Sequence, residues 1–67
     1  MSNVEEIGMN VKIARVKANM TISDLAKQAK MSVTTISHLE RGIGNVRMLS
    51  LQKIANVLGV EVESLLE

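Results

Sequence analysis

Apolar residues recur at helical spacing along almost the whole chain, interrupted where polar residues and glycines cap or stop a helix. Val4, Ile7, Val11, Ala14 and Ala18 form a first inward stripe, and Met9, Ile13 and Val16 widen it. The pattern predicts a first helix beginning near Asn3 or Val4. Ser2 or Asn3 can cap it, since Glu5 or Glu6 follows three residues later in capping-box spacing. Asn19 tolerates the left-handed conformation and should end it. Thr21 followed by Asp24 repeats the capping arrangement, and Ile22, Leu25, Ala26 and Ala29 supply the inward face of a second helix of about two turns. Ser32 opens a third, with Val33, Ile36 and Leu39 or Glu40 on related turns and Gly42 as its stop. Residues 43–46 form a loop. Met48, Leu51, Ile54, Ala55 and Leu58 make a fourth amphipathic helix ended by Gly59, and Val62, Leu65 and Leu66 suggest a short fifth. The expected fold is all-α, five helices in a single domain over residues 1–67.

The second and third helices are separated by only two or three residues, too few for an antiparallel hairpin. They must cross steeply, as in a helix-turn-helix, here over residues 21–41. Ala26 sits where the second helix approaches the third, a position that admits only a small side chain. Once Ile36 and Leu39 point inward, the face left over on the third helix holds Val33, Thr34, Ser37, His38 and Arg41.

Composition narrows the chemistry. Without cysteine and with one histidine, the chain has neither disulfides nor the soft ligands of a zinc site, and its methionines read as core filler. No residue set suits catalysis: there is no histidine, carboxylate and nucleophile constellation and no glycine-rich phosphate loop. No cofactor, metal or small-molecule ligand is expected. The absence of Phe, Tyr and Trp removes the stacking platforms on which single strands and RNA loops are read. No apolar run nears the roughly 20 residues of a membrane span and no signal segment is visible, so a soluble, cytoplasmic protein is expected.

The net charge of +1 hides a segregation. All eight basic residues lie between Lys12 and Lys53 against two acids there, Asp24 and Glu40, a local charge of +6, while five glutamates toward the ends carry −5. A basic middle can meet a polyanion. Short residues opening the third helix would let it seat in a major groove, with hydroxyls to base edges or phosphate and the Val33 methyls against a thymine methyl. His38 offers a ring nitrogen, and Arg41, Arg47 and Lys27 would position the backbone.

A resemblance adds to this. Ile7-Gly8 with Arg15, TISDLA at 21–26, SVTTISHLERG at 32–42 and LQKIANVLGV at 51–60 keep the mutual spacing of the phage repressor and Cro family, also called the xenobiotic response element family. The likeness covers residues 7–66 and implies a lambda-repressor-like, five-helix domain that binds double-stranded DNA through its second and third helices. It further implies that Arg15 and Glu40 pair structurally. It puts Ser32, Val33, Thr34, Ser37 and His38 at base-facing or groove-facing positions, with Thr35 and Arg41 nearer the phosphates; Thr21, Lys27, Lys30 and Arg47 are further candidate phosphate contacts by their own chemistry. The chain departs from the family at Ile22, where glutamine commonly holds a phosphate, at Lys30, where the turn commonly has glycine, and at Val46, where proline is common. Lys30 must therefore bear a left-handed backbone, at about 1 kcal/mol, or the turn must differ.

A core this small supplies only about 3 to 5 kcal/mol, and one recognition helix covers few base pairs, so a homodimer on a palindromic operator is expected. Val60, Val62, Leu65 and Leu66 are its candidate contact surface, with closure of the core as the competing role. The leading reading is a sequence-specific transcriptional regulator, a repressor. The other is a protein-interaction module, such as an antitoxin or anti-repressor partner, using the same helices.

Overall fold

The computed structural model describes residues 3–67, which form α1 (Val4–Lys17), α2 (Ile22–Ala29), α3 (Val33–Glu40), α4 (Met48–Leu58) and α5 (Val62–Leu66). No strand occurs among the described residues. Ser2, one of the two candidate caps, lies outside them. Asn3 takes the role: its Oδ1 accepts from Glu6 N at 2.8 Å, and its own N–H donates to Glu6 Oε1 at 3.1 Å. Thr21 and Asp24 repeat that reciprocal pair at 3.0 Å each way at the start of α2. Each box satisfies two of the donors that a helix start leaves without an intrahelical partner.

The helix ends are equally local. Asn19 and Lys30 take left-handed backbones, both at φ 58°, so the chain tolerates at Lys30 the conformation that glycine would adopt freely. Met31 N donates to Ala26 O at 2.9 Å and closes the turn between α2 and α3. Gly42 and Gly59 follow α3 and α4 with φ of 72° and 70°.

α1 packs on α3, α4 and α5, while α2 packs on α3 and α4. Val11, Leu25, Ile36, Leu51, Ile54 and Leu65 are fully buried where these helices meet. At Gly8 the α1 backbone lies against the carbonyl end of α3; a Cβ there would overlap the oxygens of Leu39 and Glu40. Asn10 ties α1 to the other end of the chain, its Nδ2 donating to Leu65 O at 2.9 Å and Glu67 O at 2.8 Å.

Two expectations are corrected by the packing. Met9, Ile13 and Val16 do not widen the inward stripe of α1: all three are exposed, because Val11 and Gly8 take the side facing α3. Leu65 is not a surface contact for a partner, since it is 1 % exposed and part of the core. Val60, Val62 and Leu66 are half-buried against that same core.

Candidate nucleic-acid interface

The geometry of α3 follows from which of its residues the other helices bury. Ile36, Leu39 and Glu40 point into the domain. At about 100° per residue, the direction opposite them falls on Thr34, His38 and Arg41, with Val33 and Ser37 on one flank and Thr35 on the other. Val33, Thr34, Thr35, His38 and Arg41 are exposed, and Ser37 is half-buried. The outward face thus carries short hydroxyl and methyl groups, one imidazole and one guanidinium.

Ser32 is placed differently from its neighbours. Its hydroxyl accepts from Thr35 N at 3.0 Å and lies 2.7 Å from Thr35 Oγ1, so it caps α3 and is mutually engaged with Thr35. Two grooves flank the helix. On one side Thr35 and His38 meet Asn45, Arg47 and Ser50 across the loop into α4. On the other Ser37 and Arg41 meet Lys12, Met9 and Ile22 from α1 and α2. Asn45, Ser50 and Lys12 were not singled out from the sequence, because each reaches the face from another element and no spacing within α3 announces them.

Among the expected phosphate-facing residues, Arg47 stands at the start of α4, whose N-cap makes no side-chain bond, and shares the groove with His38. Lys27 lies in the last turn of α2, Lys30 just past it, and Arg41 at the end of α3; all three are exposed. Thr21 is exposed, but its hydroxyl serves the cap of α2. The same cap holds the Asp24 carboxyl below its ordinary value, chiefly through the Thr21 N–H and then the Thr21 hydroxyl, both bonding the charged form.

The orientation of this face is fixed from behind. Arg15 of α1 reaches Glu40 with both arms of its guanidinium, Nε to Oε2 at 2.6 Å and Nη2 to Oε1 at 3.1 Å, and its Nη1 donates to Met20 O at 2.8 Å. The two side chains are 11 % and 5 % exposed. One fork-shaped cation therefore joins the end of α3, the body of α1 and the turn into α2, a geometry that lysine could not reproduce.

Comparison with known proteins agrees with the five-helix fold. A family model described as helix-turn-helix matches residues 11–65. Control protein C.BamHI of Bacillus amyloliquefaciens is 39% identical over 51 residues, which cover 76% of this chain and 63% of that protein. The HTH-type transcriptional regulator DdrOP3 of Deinococcus deserti is 38% identical over 53 residues, 79% of this chain and 41% of its own length. The chain thus spans less than two thirds of either curated relative. Among solved structures, the master regulator for biofilm formation SinR in complex with DNA superposes with a TM-score of 0.86 at 32% identity, over 91% of this chain and 98% of that one.

Proposed function

The chain belongs to the helix-turn-helix family of the Cro and repressor type, and on that premise we propose that it is a sequence-specific double-stranded DNA-binding transcriptional regulator. The observation that carries the proposal is the outward face of α3, where Val33, Thr34, His38 and Arg41 are exposed and Arg47 shares the groove beside His38. The solved complex of SinR with DNA supports it, as do the regulator names of the curated relatives.

In this reading α3 lies in the major groove. Val33, Thr34 and His38 meet base edges, Ser37 joins them from its flank, and Ser32 chiefly holds the helix start beside them. Arg41, Arg47, Lys27, Lys30, Thr35 and Thr21 contact phosphates and set the register. Helix starts contribute free N–H groups to the same phosphates; α4, which begins beside the His38 groove with no side chain capping it, offers one of them. Ile22 replaces a phosphate hydrogen bond with an apolar contact to the groove beside α3. Regulation by occupying an operator in the cytoplasm requires no chemistry from the protein. Useful specificity requires two reading helices about 34 Å apart, so the operator is palindromic and the protein binds it as a homodimer.

The test is a titration of the protein into a duplex selected from a random pool and into an unrelated duplex, at several salt concentrations. Preference for the selected duplex, with affinity for both falling as salt rises, is expected. Equal affinity for both duplexes and no salt slope would overturn the proposal.

A further inference from the structure

His38 stands in a groove that offers it no counter-ion. It is exposed, and among the described residues Arg47 is the one charged side chain lining the groove that His38 shares with Thr35, Asn45 and Ser50. Its neighbours one helical turn away are Thr34, Thr35, Arg41 and Gly42. Glu40, the carboxylate of α3, is turned into the domain against Arg15. α1 and α2 pack on α3, yet neither brings an acid to the ring. Glu5, Lys12 and Arg15 of α1 line the groove on the far side, with Glu40 and Arg41. Asp24, Lys27 and Lys30 of α2 line neither groove, and nor does Lys53 of α4.

Imidazole is the side chain that ordinarily gains and loses its proton between pH 5 and 8, and this chain has one histidine and no cysteine. A neutral ring has one N–H donor and one acceptor nitrogen; a protonated ring has two donors and a positive charge. In the free protein that charge would meet the guanidinium groups of Arg47 and Arg41 and no carboxylate. The carbonyl end of α3 favours it, but equally with and without DNA, so this contribution cancels between the two states. A duplex against α3 adds what the groove lacks. Its phosphates bring negative charge and pair with the arginines that oppose the ring, and guanine presents N7 and O6 as acceptors. The charged form therefore gains more from the duplex than the neutral form does. Linked equilibria are reciprocal: if DNA draws a proton onto the ring, a proton on the ring strengthens DNA binding.

We infer that His38 engages DNA as an imidazolium, donating to a guanine edge or a phosphate oxygen, so that binding the duplex takes up a proton. The coupling rests on the DNA-binding reading above and adds the charge state in which His38 works. Affinity then rises as pH falls from about 8 toward 5, a range in which carboxylates of ordinary acidity stay charged.

Titration of the whole chain into the selected duplex and the unrelated duplex at fixed salt, from about pH 5.5 to pH 8, tests it, with melting curves to check folding at each pH. Wild type should bind about tenfold more tightly at the acid end, the change that one pKa unit of displacement produces. Calorimetry near neutral pH in buffers of different protonation enthalpy should register net proton uptake. His38→Gln, which keeps a hydrogen-bonding side chain that does not titrate, should lose both the pH dependence and the uptake. His38→Lys, whose charge is fixed across this range, should be equally flat. The same pH dependence on both duplexes assigns the acceptor to phosphate, and a dependence confined to the selected duplex assigns it to guanine. A wild type that prefers the selected duplex but binds it independently of pH, without proton uptake, overturns the coupling and leaves the DNA-binding reading intact. So does a His38→Gln variant with the pH dependence of wild type. Equal, salt-independent affinity for both duplexes at every pH overturns that reading and the coupling together.

Discussion

Replacing Glu40 with alanine removes the acceptor for two arms of the Arg15 guanidinium while leaving that cation in place, only 11 % exposed. Breaking one side of a buried pair costs about 3–5 kcal/mol, mostly from the charge left behind. A core of this size supplies about 3–5 kcal/mol in total. The variant should therefore sit near or past its unfolding midpoint at room temperature. If it folds at all, its melting temperature should fall by at least roughly 12 °C, at about 4–8 °C per kcal/mol. Arg15→Met paired with Glu40→Leu removes both charges and should recover most of the loss, because apolar replacement of a whole buried pair is close to neutral. Recovery stays incomplete, since the Met20 carbonyl still loses the Arg15 Nη1 donor. Urea unfolding followed by far-UV circular dichroism, run as a double-mutant cycle, gives the coupling directly. A Glu40→Ala cost under about 1 kcal/mol, or a double variant no more stable than the singles, would refute the reasoning.

Gly8→Ala should destabilise by about 1–3 kcal/mol in urea titration, because its Cβ meets the backbone oxygens of Leu39 and Glu40, which have little freedom to yield. Lys30→Gly should stabilise by up to about 1 kcal/mol in the same assay by relieving a left-handed backbone, while reducing the salt slope of DNA binding. In operator titrations, Thr34→Ala should change which duplex is preferred and Arg41→Ala should weaken all duplexes alike; identical behaviour of the two would remove the division between reading and positioning. The Asp24 carboxyl is more acidic folded than unfolded, so its stabilisation is present above the ordinary value of about 4 and is lost as pH falls through the lower folded value. An acid titration of wild type against Asp24→Asn should show a flatter stability profile for the variant below about pH 5.

What could be read from the chain is what a few neighbouring residues decide among themselves. Thr21 and Asp24 close their capping box within one turn, and Gly42 and Gly59 stop helices by their own backbone freedom, so these boundaries follow from local chemistry. α1 is different. It carries apolar residues nearly all around, so periodicity does not choose between Val11 and Ile13 as the inward residue. The choice is made by Gly8, whose missing side chain lets α3 rest on that side of the helix. Arg15 and Glu40 are 25 residues apart, and Asn10 and Leu65 are 55 apart. The first pair came from likeness to a family, not from spacing, and nothing in the chain announced the second. The groove residues Asn45, Ser50 and Lys12 escaped for the same reason, since each joins the candidate site only after the helices pack.

The chemistry of the outward face sets how specificity would have to arise. Val33, Thr34, Ser37 and His38 include none of the arginine, asparagine or glutamine side chains that bond two atoms of one base at once. On the proposed reading, each base pair is judged by a methyl contact or a single hydrogen bond, with less discrimination than the about 1–3 kcal/mol of a bidentate pair. Specificity must then be assembled from several weak contacts, from the shape of the groove and from a second copy. Such an assembly tolerates little error in placement, because a weak contact that is misaligned contributes nothing. The firm holding of α3 from behind, by the Gly8 approach and the Arg15 fork, is what a reading face of this kind requires. Variants at Arg15 or Gly8 that stay folded should therefore blur the choice between operators before they abolish binding, since phosphate contacts survive a small tilt of the helix and single base contacts do not.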